Sequence, residues 1–299
     1  MREPSGQRGA TLIIALLVTA AMTAIIVEII SVVNGQADRT TAFIEGKKAA
    51  VVAEDGVELA KRYLGTLPGG YTYLDKGFFA APVDGITLEV SVEDESGKVQ
   101  ANSVVFANGE ANEAVYSSCE ALMPAASLQP ALCEPLADWL DADDMARSNG
   151  AEGRFYSSLP VPYAAKNGKL DTLGEIALVK GFDAQAASRL TRYFTVYSDG
   201  LVNINTAPKE VLMALSGEIT PEMAEKLIER RNAKPFANAS DIREVKGFET
   251  LVFSLQGRIK VKSDIFRVRT RAMSGGVARE VEAVVRIGKP GKVLYWRAR

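Results

Sequence analysis

From Ala10 to Val33 the residues are apolar almost without a break, interrupted only by Thr11, Thr19, Thr23, Glu28 and Ser31. At ~1.5 Å per residue, a helix of this run is long enough to cross ~30 Å of hydrocarbon. A removable signal peptide would carry an apolar stretch of only ~7–15 residues ending in a small-residue cleavage site. Here the run continues past Thr19-Ala20-Ala21, which favours a retained anchor. Gln36 to Leu64 still reads as helix, because Ala49, Val52, Val57, Ala60 and Leu64 recur at helical spacing with no proline among them. The pattern predicts one long helix whose later half packs on a sheet and which stops at Pro68-Gly69-Gly70.

The period then changes. From Ile86 to Asp94, Ile86, Leu88, Val90 and Val92 point one way and Thr87, Glu89, Ser91 and Glu93 the other, a half-buried strand closed by Glu95-Ser96-Gly97. Near the C-terminus Phe266, Val268 and Thr270 alternate with Arg267, Arg269 and Arg271, and Ser274-Gly275-Gly276 makes a turn. Val277 to Ile287 returns with Val281, Ala283 and Val285 on one face, and Val293 to Trp296 adds a last strand. The three arginines are assigned to the solvated face of their strand. The long stretch between the first strand and the others is mostly helical, which indicates a helical domain inserted into a sheet domain. The expected fold class is therefore α+β, a long N-terminal helix on an antiparallel sheet with a large inserted α-helical domain. The expected boundaries are a short polar leader at 1–9, a membrane-spanning part at 10–33 and a continuation of the helix at 34–65. A discontinuous sheet domain follows at 66–104 and 256–299, with the insert at 105–255.

Two regions of the insert carry candidate chemistry. Asp138, Asp141, Asp143 and Asp144 fall within seven residues, followed by Gly150-Ala151-Glu152. Such a cluster is either solvated or bridged by a cation, and calcium takes about six to eight oxygens from groups of this kind. The Asp141-x-Asp143 spacing echoes a calcium loop without the full EF-hand pattern. The second region is Val202-Asn203-Ile204-Asn205-Thr206-Ala207-Pro208. Thr206 is the expected N-cap of a helix with Pro208 in its first turn, Ser216-Gly217 breaks that helix, and Thr220-Pro221 opens a second one through Arg231. Ser240-Asp241 then opens a short helix ending at Gly247. An internal echo runs through the insert, with Glu175-Ile176 leading to Val179-Lys180-Gly181-Phe182 as Asp241-Ile242 leads to Val245-Lys246-Gly247-Phe248. Both segments resemble helix-hairpin-helix units, SAM-like in their packing. The resemblance raises a rival function, a DNA-binding or DNA-uptake membrane protein.

Composition narrows the choice. From Asn203 to Phe248 seven basic residues are balanced by seven acidic ones, and the hairpin Gly217-Glu218-Ile219-Thr220 lacks the second glycine of a phosphate-gripping Gly-x-Gly turn and carries a carboxylate in it. DNA affinity comes largely from neutralised phosphates, and the whole chain carries a formal net charge of −2, so no nucleic acid is expected as a partner. There is no histidine, which removes His-based triads and His zinc sites. No nucleophile elbow, Walker A loop or zinc-protease motif is present, and no enzyme activity is expected. Cys119 and Cys133 are the two cysteines; they are either a disulfide pair, worth ~3 kcal/mol by loop closure, or two separate thiols.

The N-terminus carries a family resemblance. Met1 to Gly9 is short and polar, with Arg2 and Arg8, and ends in Gln7-Arg8-Gly9 directly before the apolar run. It resembles a prepilin leader, which implies cleavage between Gly9 and Ala10 by a prepilin peptidase and a mature chain beginning at Ala10. Most pilins and pseudopilins carry Glu at the fifth mature position, where it neutralises a neighbour's buried amine; here that position is Ile14. Glu28 lies ~21 Å further along a helix and cannot substitute. The absent glutamate, the phrases Glu93-Asp94-Glu95-Ser96-Gly97-Lys98 and Asp138-Trp139-Leu140-Asp141-Ala142-Asp143, and Gly150-Ala151-Glu152 together resemble the minor pseudopilin K family of type II secretion systems. That resemblance implies a calcium-binding helical domain, with Asp138, Asp141, Asp143 and Glu152 as ligand candidates. It also implies partnership with minor pseudopilins I and J, and a single-pass position in the lipid of the bacterial inner membrane with the globular part in the periplasm. The implied role is a non-enzymatic one, capping a pseudopilus and initiating its assembly.

Overall fold

The structure, a computed structural model, describes residues 6–67, 76–288 and 291–299. The first residues of the expected leader and the Pro68-Gly69-Gly70 stop lie outside the described residues. Helix α1 (Gly6–Thr66) is continuous from the end of the leader through the apolar run to the sheet. Every residue from Ala10 to Ile44 is exposed, and burial begins only at Gly46 and Ala49. From there Ala49, Ala53, Val57, Ala60 and Leu64 form a buried stripe, three to four residues apart, as an amphipathic helix on a sheet requires.

The elements of the sheet body are strands β1 (Lys76–Val83) and β2 (Ile86–Asp94). The helical body then contributes two short parallel pairs, β3 (Val99–Gln100) with β4 (Phe194–Thr195) and β5 (Val202–Asn203) with β6 (Ile259–Lys260). Strands β7 (Ile265–Ser274), β8 (Val277–Arg286) and β9 (Lys292–Ala298) return to the sheet. The main sheet has the order β1-β2-β7-β8-β9, each neighbour antiparallel. The alternation read from Ile86 to Asp94 is observed, with Leu88, Val90 and Val92 on the buried face under α1 beside Phe266, Val268, Ala272, Val281, Ala283 and Val285. Strand β1 was not expected. Its signal is Asp84-Gly85, both at positive φ, the turn chemistry that closes a two-residue hairpin.

The solvent face of the sheet is a ladder of opposite charges. Arg269 meets Glu93 at 3.2 Å and Glu282 at 3.3 Å, and Arg271 lies 3.9 Å from Glu89 and 3.6 Å from Glu280. Arg267 departs from the expectation of a solvated stripe. It is buried, donating to Glu95 at 2.7 Å and to Glu282 at 2.7 Å, because the helical body covers that end of the strand.

The helical body has its own core, drawn from Val99 to Val261, slightly wider than the expected 105–255. Its helices are α2 (Glu113–Leu122), α3 (Cys133–Leu140), α4 (Gly153–Ser157), α5 (Ala184–Leu190), α6 (Lys209–Ala214), α7 (Pro221–Ala233) and α8 (Leu251–Ser254). The sequence echo is a structural repeat. Two 3-10 helices, Leu173–Leu178 and Ala239–Glu244, each start on a capping box, Thr172 with Glu175 and Asn238 with Asp241. Each leads to a glycine at positive φ (Gly181, Gly247) and a buried phenylalanine (Phe182, Phe248). The cap of the second unit is thus Asn238, not Ser240. Thr220 caps α7 as expected, accepting from the Met223 amide at 3.3 Å.

Contacts between α1 and β7 fix the direction of the molecule. Glu45, at the start of the part of the helix that packs on the sheet, accepts from Ser274 at the end of β7; eight residues later the Ala53 carbonyl accepts from Thr270 at 2.7 Å. Strand β7 therefore runs back toward the apolar end of α1. The helical body, which leaves at Asp94 and returns at Ile265, is mounted on the end of the sheet farthest from that apolar segment.

Candidate metal centre

Helix α3 carries Asp138 on its last turn, and Asp141 is the residue that ends it. The loop from Asp141 to Glu152 is fastened at several points. Asn149 donates from its backbone and side chain to Glu134, at 2.5 and 2.9 Å, and Lys180 Nζ donates to the carbonyls of Asn149 and Gly150 at 3.1 and 2.9 Å. Gly150 is required by close approach: a Cβ there would stand 1.8 Å from Asp138 Oδ2. Glu152 then opens α4, whose Tyr156 packs edge-on against Trp139 of α3 with ring centroids 5.0 Å apart. That packing turns the ends of α3 and α4 toward one another.

The result is a buried cluster. Asp138, Asp141 and Glu152 are all buried, and one carboxylate oxygen of each lies within 4.8 Å of the others. Both oxygens of Glu152, which is 5% exposed, and Oδ1 of Asp141 have no hydrogen-bond partner. Burial, and then the neighbouring Asp138 and Asp141, push the Glu152 carboxyl up to about 7. Burial likewise raises Asp141, against the opposing pull of Arg147. A buried, unpartnered carboxylate is costly unless a cation completes it. Three hard oxygen donors with free valence suit a divalent cation of the calcium or magnesium type. On that observation the residues fit such an ion.

Of the four residues expected from sequence, the structure brings three together. Asp143 is exposed and outside the cluster, its Oδ1 accepting from the Met145 amide at 2.8 Å. Two residues were missed. Arg147 bridges Asp138 and Asp141 with Nη1, at 2.5 and 2.7 Å, and Gly150 admits the Asp138 carboxylate. The available signal was a lone arginine between the acidic run and Gly150-Ala151-Glu152. Cys119 and Cys133 are joined by a disulfide, which ties α2 to the start of the helix that presents Asp138. Ala10 and Ile14 are exposed on the apolar part of α1, and Gly9 precedes them in the same helix.

A second cluster holds the two bodies together. Asp94 accepts from Asn203 Nδ2 at 3.0 Å, Thr206 Oγ1 at 2.7 Å, Ser263 Oγ at 2.6 Å and the Ser96 amide at 2.7 Å. Thr206 is therefore not a helix cap as expected; α6 starts after Pro208 while Thr206 faces the junction. Burial would raise the Glu95 carboxyl, but Lys98 and Arg267, with hydrogen bonds from Arg267 and Thr195, outweigh it and bring it to about 2. Asn205 spans Phe236 and Val261 by three backbone contacts, and Arg231 donates to the carbonyls of Ile204 and Ala207, each at 2.8 Å. The polar groups of the Asn-Ile-Asn-Thr segment are spent inside the protein, where they cannot reach phosphate. The DNA-binding reading is not favoured.

A family model described as type II secretion system (T2SS), protein K, matches residues 97–199, and a second of the same description matches residues 202–261. Together they cover more than half of the chain. Type II secretion system protein K of Pseudomonas aeruginosa is 28% identical over 216 residues, 70% of this chain and 64% of the relative. The chain thus spans just under two thirds of that protein. The protein of the same description from Pectobacterium carotovorum is 26% identical over 263 residues, 80% of each chain. Among solved structures, a chain of the GspK-GspI-GspJ complex from the enterotoxigenic Escherichia coli type 2 secretion system matches with a TM-score of 0.67. The match covers 89% of this chain and 99% of that one at 17% identity, a likeness of fold.

Proposed function

The chain belongs to the type II secretion system protein K family, a family of minor pseudopilins, and from that membership we propose that it caps the tip of the pseudopilus. The observation that carries this reading is the placement of the helical body. It sits on the end of the sheet opposite the apolar segment, where it obstructs the place that a further subunit would take. In this reading the first part of α1 lies in the inner membrane and the globular part in the periplasm. The helix is long and apolar enough to cross a bilayer by length and composition. Prepilin peptidase cuts between Gly9 and Ala10. Ile14 at the fifth mature position offers no carboxylate to a neighbour's amine, which suits a subunit with nothing stacked above it. The role is structural and non-enzymatic: the subunit joins minor pseudopilins I and J through the N-terminal helices and helps start assembly for the export of folded proteins. The solved complex that shares this fold is one of GspK with GspI and GspJ, which supports that choice of partners.

Asp138, Asp141 and Glu152 are proposed to hold calcium, with Asp143 left out of the ligand set. When bound, the ion supplies positive charge to the three carboxylates and cross-links α3 to α4. The chain's own residues orient the oxygens: Trp139 against Tyr156 sets the two helix ends, and Lys180 with Glu134 fixes the loop between them.

The test is co-purification of the full chain, extracted in detergent, with I- and J-like partners from the same system. A ternary complex with one copy of each is expected. A chain that assembles with itself into a filament and ignores both partners overturns the proposal.

A further inference from the structure

Arg147 is the one cation bonded to the carboxylate cluster among the described residues. Its Nη1 donates to Asp138 Oδ1 and Asp141 Oδ2, and its Nη2 to the Gly109 carbonyl at 3.1 Å. It leaves both Glu152 oxygens and Asp141 Oδ1 without a partner. One positive charge is thus set among three buried carboxylates; it pairs with two of them and leaves one oxygen of Asp141 unmet. An ion bridging all three would take oxygens at about 2.3–2.6 Å. It would stand within a few ångströms of the guanidinium, where like charges in a partly buried site repel strongly. The carboxylates have no room to retreat, being 0% and 1% exposed at Asp138 and Asp141. The Arg147 side chain is 24% exposed, and its backbone amide is separately held by Asp138 Oδ2 at 3.1 Å. The side chain can therefore swing to solvent while the loop stays in place.

We propose that Arg147 is a resident counter-ion that a divalent cation displaces, so that this guanidinium sets the calcium level at which the site fills. The inference rests on the calcium reading above. Displacement also breaks the Nη2 bond to Gly109, the side-chain link by which Arg147 ties the acidic loop to the turn at 106–110, where Phe106 is exposed. Loading the site thus removes that hydrogen bond between the turn and the acidic loop. The apparent affinity of the wild type is the intrinsic affinity multiplied by the fraction of molecules in which the arginine has left.

The experiment measures calcium affinity and melting temperature for the full chain in detergent micelles, as wild type, R147Q and R154Q. Arg154 is exposed and two residues beyond Glu152 in sequence, so R154Q removes a nearby charge without vacating the cluster. R147Q is expected to bind calcium about tenfold more tightly, the order of one charge-assisted hydrogen bond no longer broken on loading. It should melt lower than wild type in chelator and level with it in saturating calcium, while R154Q changes affinity by much less. An affinity gain no larger than that of R154Q, or an equal loss of stability with and without calcium, overturns the displacement. Should neither wild type nor R147Q take calcium, the metal reading fails with it; should wild type bind and R147Q bind no better, the displacement alone fails. The wild type gives an independent check that needs no variant. Its Arg147 guanidinium, followed by nitrogen-15 NMR, should pass from hindered to free rotation as calcium is added, and a guanidinium still fixed in the loaded protein is the contrary result.

Discussion

A methyl group at position 150 would collide with the Asp138 carboxylate, so Gly150→Ala must push the loop or Asp138 out of place. The expected cost is about 1–3 kcal/mol, as for overpacking, together with loss of the rise in melting temperature that calcium gives the wild type. Thermal melts with calcium and with chelator measure both. Glu95 makes a prediction in pH. Its folded carboxyl lies near 2 against an ordinary value of 4.5, so the stability it contributes is complete above about 4.5 and is lost as pH falls toward 2. Asp94 acts in the opposite sense, because burial raises it despite its hydrogen bonds. The difference between wild type and Glu95→Gln separates the two. At neutral pH that difference is expected to be about 3–5 kcal/mol, since Arg267 and Lys98 lose their shared partner. It should shrink steadily in urea melts taken from pH 5 to pH 2, and a gap that stays constant over that range counts against the ion-pair assignment. The family resemblance pointed to Asp138, Asp141 and Glu152, and the structure brings these three carboxylates together. Asp143, named with them, lies outside the cluster because the helix ends at Asp141, beyond which the chain turns to solvent. Arg267 was misread for a related reason. Alternation tells the face of a strand, but not that a remote body covers one end of that face.

The elements were read well where period and turn chemistry coincide. Strand Ile86–Asp94 and the hairpin around Gly275-Gly276 are set by alternation and glycine, both local. Strand β1 was lost because Lys76–Val83 contains no polar–apolar alternation; only the Asp84-Gly85 turn announces it. The repeated unit was visible as an echo of sequence, and its capping boxes and positive-φ glycines explain why the same residues recur. What the spacing could not decide was the state of the cysteines. The disulfide joins α2 to α3 across a sequence separation of 14, which corresponds to about 3 kcal/mol of loop closure. The double variant Cys119→Ala/Cys133→Ala is expected to lose about 2–4 kcal/mol in denaturant unfolding. It should also bind calcium more weakly, because α3 presents Asp138. A reductant should reproduce both effects in the wild type and leave the double variant unchanged.

At the scale of the molecule, one helix connects two environments. Its first part is exposed along its whole circumference and apolar, while its second part is buried on one stripe against the sheet. The sheet hands the chain to the helical body at its far end through Asp94 and Glu95, both buried and both fully engaged across the junction. The body is thus held on the end of the sheet away from the apolar segment, and Asn203 and Thr206 are spent in that junction. The most direct measurement is to locate this subunit on assembled pseudopili, by a single-site label on the helical body viewed by electron microscopy. One label at one end of each filament is the expected result; labels spaced along the filament's length would contradict the assignment to the tip.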